Sequence, residues 1–483
     1  MVFQSVRVLT RRSRISYSRC VGAFRQISRG ESLGIQKRRV HEVDSVTRQP
    51  EVTILVTSYN RRQHLRRCLL SLSRQRGLGH QAFEVVVADD GSSDGSCEML
   101  RHLSRDLPYR VRVVSQEDLG FRRARALNQA LKISEGDYLL LTDADCIFPN
   151  HYVQRQIADR KVGVAWAGDC IRLNKEVTQR ITEGAIVSGD FMRLVPTALT
   201  TDQMRYHYKN RLYQWWNHPT KPRLIGFNVA LWADDLRSIN GFDQNFVGRG
   251  CEDDDLALRL RKVGVKIKSN ANRTFGYHLW HEQDSTVPSN WTVGANVNYL
   301  QRPVVLARCL HGLNQERLDE RLTRFSFEPT TLSSQHLDVI QTLQSRFLLD
   351  ADDEQSGDAE LELRFGNARV SSTWASSSRV QIVLDGERVT RVRPKPHLVL
   401  DLANHSLEKV PRGLRLFDPE SGDNQVEEAT TGSNVPVRSD ASPEWIADWL
   451  LKQLEAAVNG QVSYSELLSR SGASDLENAR RAA

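Results

Sequence analysis

Several hallmarks of common protein classes are missing from this chain of 483 residues. No apolar run approaches the roughly 18 residues that mark a membrane-spanning helix, and the N-terminus has no apolar segment of the secretory type. The seven cysteines are scattered and form no Cys-x-x-Cys pair. These absences exclude the usual zinc and dithiol motifs and predict free thiols in a reducing cytoplasm.

Basic residues are unevenly spread, although the net charge is only +7. Residues 1–49 contain many arginines and few acids, which predicts a disordered basic leader. Its only aromatic residues are Phe3, Tyr17 and Phe24, too few for the stacking platform of a nucleic-acid binder. We therefore expect a cytoplasmic protein with no nucleic-acid partner, in which the leader supplies any peripheral contact with the inner face of the membrane.

From residue 50 the chain alternates apolar strands with amphipathic helices. This alternation predicts an α/β domain over 50–312, with a parallel sheet covered on both faces. Ligands bind such sheets beyond the carboxyl ends of the strands. Strands are expected at 52–60, 83–89, 109–116 and 136–146, and helices at 61–75, 96–107 and 123–134.

The rest of the chain has a different pattern and shows no catalytic constellation. Residues 313–402 are predicted to form a small α+β region of unknown role, with a helix at 336–348 and a hairpin turning at Asp385–Gly386. Residues 403–442 are polar and are expected to form a linker or to be disordered. Residues 443–483 are expected to form a C-terminal helix and tail.

Acidic residues and histidines follow the predicted strands and open one helix. Asp143 and Asp145 end an apolar strand, a position from which carboxylates can bind Mg²⁺ or Mn²⁺ together with a diphosphate. Asp89 and Asp90 end another strand, and four acids occupy 252–255 at the start of a helix. Each motif has a plainer interpretation, such as an Asp-Gly turn or an acidic helix start that favours the helix dipole.

Taken in order, these segments resemble family 2 glycosyltransferases of the GT-A fold over about residues 51–300. The similar segments are VTSYNRRQHL, VVVADDGSSDGS and GFRRARALNQALKISEGDYLLLTDADC. The segment GFNVALWADDLRSINGFDQNFVGRGCEDDDLALRL is similar to the acceptor half of β-1,4-galactosyltransferases and chondroitin-type polymerases. The resemblance implies an α/β GT-A fold with a doubly wound mixed sheet.

The resemblance also implies a donor site for a UDP-sugar. Its expected nucleotide-sugar-binding residues are Thr57, Tyr59 and Arg61 around the uridine, Asp90 on the uracil with Asp89 beside it, Arg125 and Asn128 on a donor-facing helix, and Asp143 near the ribose or a bridging water. Asp145 would bind Mn²⁺ (or Mg²⁺), with His278 as the preferred further ligand and His281 as the alternative.

The implied activity is that of an inverting, metal-dependent hexosyltransferase of polysaccharide biosynthesis. Asp253 would be the general base for a hydroxyl of a glycan or lipid-linked acceptor, and Glu252 would face that acceptor. Asp254 and Asp255 are expected to cap the helix and form salt bridges, and the sugar and the acceptor stay open. The alternatives are a related binding protein without turnover and a nucleotidyltransferase, although the latter's glycine-rich phosphate loop is absent after the first strand.

Overall fold

The computed structural model of the protein describes residues 50–78, 82–282, 290–350, 359–368, 377–384, 397–402, 406–407 and 441–460. The predicted leader, the turn at Asp385–Gly386, most of the linker and the C-terminal tail lie outside the described residues. Among the described residues, no helix has the length and apolar character needed to cross a bilayer.

The first part of the chain builds one side of the main sheet. Parallel strands β1, β2, β3 and β4 alternate with helices, and β1 lies between β2 and β4. The elements are β1 (Val52–Ser58), α1 (Arg62–Leu72), β2 (Phe83–Asp89), α2 (Ser96–Leu103), β3 (Arg110–Ser115), α3 (Arg123–Ile133) and β4 (Tyr138–Asp143). Strands β2 and β3 are added on one side of β1, and β4 is added on its other side. The carboxyl ends of β1 and β4 therefore flank the crevice where such folds bind ligands.

The next part completes the sheet and surrounds its edge. Its elements are β5 (Cys146–Ile147), α4 (Tyr152–Asp159), β6 (Val164–Ala167), β7 (Asp169–Arg172), α5 (Lys175–Arg180), α6 (Glu183–Ser188), α7 (Thr197–Trp215), β8 (Val229–Trp232), α8 (Ala233–Ser238), α9 (Glu252–Lys262), β9 (Lys266–Ser269), β10 (Phe275–His278) and α10 (Ala295–Leu300). Within the described residues the main sheet has the order β3-β2-β1-β4-β8-β6-β9. Strand β8 is antiparallel to both neighbours, so the sheet is mixed, as predicted.

Both faces of the main sheet are covered. Alternate residues of the central strands pack with α1 and α2 on one face and with α3, α8 and α9 on the other. This arrangement explains why the strands are apolar at nearly every position instead of at every second one. The double cover leaves the sheet's carboxyl edge as the accessible place for polar side chains.

A second, small sheet lies beside that edge. Strand β10 pairs antiparallel with β5, placing His278 opposite Cys146, and parallel with β7, placing His278 opposite Arg172. The carboxyl end of β10 is therefore held next to the end of β4. This pairing brings residues about 130 positions apart into one site.

The C-terminal region has its own core. Strands β11 (Leu322–Ser326), β12 (Leu348–Leu349), β13 (Leu361–Phe365), β14 (Ser378–Val383) and β15 (Leu398–Asp401) pair parallel, and β16 (Ser406–Leu407) is antiparallel to β15. Helices α11 (Ser334–Gln344) and α12 (Pro443–Asn459) pack on this sheet, and the core extends back to Val304. The predicted C-terminal helix is thus part of the same core as the region before it.

Strand β14 has a parallel neighbour on each edge. It pairs with β13 on one side and with β15 on the other. Alternating polar and apolar residues identified the strand but carried no information on its partners. The hairpin turn at Asp385–Gly386 lies outside the described residues and stays a prediction.

Candidate functional site

One carboxylate and two imidazoles meet where β4 and β10 end. Nε2 of His278 lies 3.4 Å from Oδ1 of Asp145, and Nε2 of His281 lies 3.2 Å from Oδ2. The three ligand atoms all lie within 4.8 Å of one another. The amide of Leu279 donates to the carbonyl of Asp145 at 2.8 Å, which fixes the two segments together.

This donor set fits a divalent cation. Adjacent ligands of an octahedral ion with bonds of about 2.1 Å are about 3 Å apart, close to the separations observed. Two imidazoles beside one carboxylate suit a transition-metal ion better than Mg²⁺, which prefers oxygen ligands. The sequence left His278 and His281 as alternatives, and the structure brings both to Asp145.

The three groups also interact electrostatically. Burial acts to raise the pKa of Asp145, but the neighbouring histidines outweigh it and lower this pKa to about 2. The contact with Asp145 in turn raises the pKa of His281. The carboxylate is therefore ionised and ready to bind a cation at neutral pH.

Asp143 does not join this cluster. Asp143 is in register with Thr57 on β1 and accepts a hydrogen bond from the Thr57 hydroxyl. It also forms an ion pair with Arg123 at 3.2 Å. The two acids of the Asp-Ala-Asp motif thus have different surroundings, because β4 ends at Asp143 and Asp145 lies in the turn between β4 and β5. Asp145 turns to the histidines and Asp143 turns to Arg123.

The predicted uridine-binding residues line one pocket at the carboxyl ends of β1 and β2. Thr57, Tyr59, Arg61 and Asp90 all border it, together with Asp143 and Asp145. Asp90 is 5% exposed and accepts hydrogen bonds from the Gln116 side chain and, at 2.8 Å, from the Arg122 amide. Burial raises the pKa of Asp90 to about 6.

Three predicted donor residues do not line this pocket. Asp89 is buried and accepts from the hydroxyls of Ser92 and Ser115, so it holds the turn after β2. Arg125 is exposed on α3, and Asn128, on the same helix, donates to the carbonyl of Phe242 at 2.8 Å. Asp89 and Asn128 therefore have structural partners, and Arg125 is exposed.

Arg123, which sequence reasoning missed, occupies the centre of the site. Its guanidinium lies 3.2 Å from Asp143, 3.2 Å from Asp253 and 3.6 Å from Glu252. An ideal Cβ on Gly226 would lie 2.2 Å from this guanidinium, so the close packing requires glycine there. Arg123 thereby joins the end of β4 to the start of α9.

The acid pair at the start of α9 is buried and unusually basic. Burial and the neighbouring Asp253 raise the pKa of Glu252 to about 7. Burial also raises the pKa of Asp253, which accepts from the Gly226 amide at 2.8 Å. Oε2 of Glu252 has no hydrogen-bond partner among the described residues. A carboxyl with a pKa near neutrality is suited to proton exchange at physiological pH.

The other two acids of the run have structural partners, as expected. Asp254 forms an ion pair with Arg223, with one contact of 2.7 Å. Asp255 is fully buried between Arg259 at 2.6 Å and Arg302 at 2.8 Å. The four acids therefore divide into a pair that contacts Arg123 and a pair that is bound by other arginines.

Cys251 precedes the acid pair in an unusual backbone conformation. Its φ is 73°, in the left-handed region that favours glycine. The strain is of the kind found where a chain must turn sharply into a functional helix. A glycine at this position would adopt the same backbone conformation without strain.

A larger cleft of about 740 Å³ opens beyond the acid pair. Its walls include Tyr206, Lys209 and Tyr213 of α7, together with Lys221 and Trp291. The aromatic segment 206–219 thus contributes to the wall. Trp291 is 57% exposed and lies against Gly250.

The comparisons with known proteins agree with this geometry. The family model "Glycosyl transferase family 2" matches residues 53–221, and the model "N-terminal domain of galactosyltransferase" matches residues 206–282. The glycosyltransferase YfnE of Bacillus subtilis, whose function is uncharacterized, is 34% identical over 291 residues, covering 52% of this chain and 69% of that protein. The chain belongs to glycosyltransferase family 2.

Other similarities are more limited. The validoxylamine A glucosyltransferase of Streptomyces hygroscopicus subsp. jinggangensis is 29% identical over 253 residues, which cover 48% of this chain and 56% of that protein. This glycosyltransferase therefore spans about half the length of that relative. The solved structure of S. aureus TarS 1-349 in complex with UDP-GlcNAc has a TM-score of 0.35 at 16% identity, covering 52% of this chain and 64% of that one.

Proposed function

We propose that the protein is an inverting, metal-dependent glycosyltransferase that moves a hexosyl group from a UDP-sugar to a hydroxyl of a glycan or lipid-linked acceptor in polysaccharide synthesis. The observation that carries this proposal is the position of Arg123, whose guanidinium contacts Asp143 on the donor side and Asp253 on the acceptor side. Through this one residue, the end of the donor pocket and a basic carboxylate are held within a few ångströms of the same point.

Asp253 is the general base in this proposal. Its carboxylate is oriented by Arg123 and by the Gly226 amide, yet each oxygen keeps a lone pair for the acceptor hydroxyl. Asp253 takes the proton as the hydroxyl oxygen attacks the anomeric carbon. Attack on the face opposite the diphosphate inverts that carbon, so an α-linked donor gives a β-linked product.

Glu252 positions the acceptor. Because its pKa is raised to about 7, a large fraction of Glu252 is protonated near neutral pH. Its unpartnered Oε2 is then able to donate to a second acceptor hydroxyl. By binding one acceptor hydroxyl, Glu252 keeps the reacting hydroxyl in the correct orientation, which lowers the activation barrier of the transfer.

The donor is held from the other side. Asp90 accepts the N3–H of uracil, while Thr57, Tyr59 and Arg61 surround the uridine. Asp145, His278 and His281 would hold Mn²⁺, which supplies charge neutralisation for the leaving diphosphate. Burial of Asp90 removes competing water, so its hydrogen bond to the base carries more specificity than an exposed one would.

Release of UDP from a panel of UDP-sugars tests this proposal. We expect release from one donor with Mn²⁺, none with EDTA, and none from Asp145→Ala. Asp137→Ala is the matched control, because Asp137 is exposed at the opposite end of β4. Metal-dependent UDP binding without release from any donor would favour the binding protein without turnover, and absence of UDP binding would refute the donor site itself.

A further inference from the structure

The cleft of about 740 Å³ beyond the acid pair, which we call the acceptor cleft, has an excess of positive charge. Six basic and four acidic side chains line it. Three of the acids, Asp143, Glu252 and Asp253, surround Arg123, and the fourth, Asp254, pairs with Arg223. The negative charge is therefore concentrated at the catalytic end, and the far wall of the cleft is left cationic.

Two lysines define that far wall. Lys209 lies on α7 and Lys221 on the segment that follows it, and both border the cleft. Within the described parts of the chain, neither lysine forms an ion pair, and Nζ of Lys209 lies 6.0 Å from the centroid of the Tyr213 ring. Burial and the nearby cations Arg223 and Lys209 lower the pKa of Lys221. An anion bound by both lysines would offset the repulsion between these cations.

The lysines do not belong to the donor pocket. The residues lining that pocket come from the ends of β1, β2 and β4, the start of α3, Arg249 and His281, and include none from α7 or from the segment after it. Arg172 is different, since it pairs in register with His278 beside the metal ligands. Substituting Lys209 or Lys221 therefore tests binding of the acceptor and not binding of the diphosphate.

The same wall is suited to a sugar chain. Tyr206 and Tyr213 of α7 and Trp291 across the cleft also line it. Aromatic rings with an apolar face and an exposed edge stack on the C–H face of a pyranose, while cations bind its charged substituents. Aromatic rings and lysines together indicate a glycan that carries negative charge.

We infer that the acceptor is an anionic glycan, with a carboxylate or phosphate group bound by Lys209 and Lys221 while the reacting hydroxyl faces Asp253. This inference rests on the proposed function, because it names the substrate class of the same cleft. A carboxylate and a phosphate group are both compact oxyanions. In either case the group lies one or a few sugar units from the reacting hydroxyl.

Binding and transfer with matched glycans test the inference. The probes are a glucuronate-containing oligosaccharide with its carboxyl-reduced form, and a phosphorylated oligosaccharide with its dephosphorylated form. We expect the full-length protein to bind one anionic member at least about tenfold more tightly than its neutral twin, the size of one charge-assisted contact. Whichever pair shows the difference identifies the source of the oxyanion.

The variants are Lys209→Gln and Lys221→Gln. Each is expected to reduce the preference for the anionic member about tenfold with little effect on the neutral one. Arg205→Gln is the control, because Arg205 is exposed on the same helix, carries the same charge and pairs with Asp202 outside the cleft. An effect of equal size in Arg205→Gln would mean that only the general field of the protein acts, and would overturn the inference.

Failure of this inference differs from failure of the proposed function. Equal binding of charged and neutral twins, or no binding of any of the four glycans, overturns the anionic acceptor even if UDP binds with Mn²⁺ and is released from a donor. Absence of metal-dependent UDP binding overturns the proposed function instead. Calorimetry with UDP and Mn²⁺ on every variant separates the two results.

Discussion

Substituting Gly226 by alanine tests the role of Arg123 without touching a charged residue. The added Cβ would lie 2.2 Å from Nη2 of Arg123 and 2.7 Å from its Cζ. The guanidinium must withdraw by about 1 Å, a displacement that costs on the order of 100-fold in rate when it disturbs a reacting group. Because Arg123 is buried among three carboxylates, no other partner among the described residues compensates for these contacts.

The assay is UDP release with Mn²⁺, together with UDP affinity and thermal unfolding. We expect kcat to fall about 100-fold and the free energy of unfolding to fall by about 1–3 kcal/mol, as for other overpacked sites. The loss of UDP affinity should be far smaller than the loss of rate, because the proposal places uracil at Asp90, whose hydrogen-bond partners are Gln116 and Arg122.

Gly184→Ala is the matched control for this change. Gly184 lies in α6, and the nearest atom to its ideal Cβ is the Thr182 hydroxyl oxygen at 3.8 Å. This variant should keep its rate and gain up to about 1 kcal/mol of stability from helix propensity. A Gly226→Ala variant with wild-type kcat would refute the claim that Arg123 must hold its observed position.

Three further predictions concern metal, pH and backbone strain. His278→Ala and His281→Ala should each weaken Mn²⁺-dependent UDP binding by about tenfold or more, and unchanged binding in either would remove that histidine from the ligand set. Because the pKa of Asp90 is raised to about 6, its ionised form is lost as pH falls through that value. Calorimetry should therefore show UDP affinity declining below about pH 6 in the wild type. The Asp90→Asn variant should show no such decline. Cys251→Gly relieves a positive φ and should raise the free energy of unfolding by about 1 kcal/mol, measured by denaturant titration; a loss of stability would contradict the assignment of strain.

The sheet and most of its ligand-facing positions could be predicted from sequence because the relevant signals are local. A buried strand is recognisable from its apolar run, and the residues that leave its carboxyl end are the next in the chain. Thr57, Asp90 and Asp145 were located in this way, and the structure places all three at the same edge. The order of β1, β2 and β3 follows from short crossovers, which leave few alternatives, whereas β8 lies between β4 and β6 after a long excursion of the chain.

The remaining features depend on contacts between distant segments. Arg123 and Arg125 lie two residues apart at the start of one helix, and only the packing of α3 against Gly226 decides which of them points into the site. Likewise, His281 joins Asp145 because β10 pairs with β5, and this pairing cannot be read from either segment alone. The apolar contact of α12 with the region after Val304 is non-local in the same sense.

The central claim is that Asp253 removes the acceptor proton. The most direct test compares Asp253→Asn with Asp254→Asn, because the two acids are adjacent on α9 and only Asp253 contacts Arg123 and the Gly226 amide. The assay uses the donor and the acceptor that the release and binding experiments above identify. We predict that Asp253→Asn binds UDP and Mn²⁺ as the wild type does but that its transfer rate falls at least about 100-fold. Asp254→Asn should keep most of its rate. Wild-type transfer by Asp253→Asn would contradict the account.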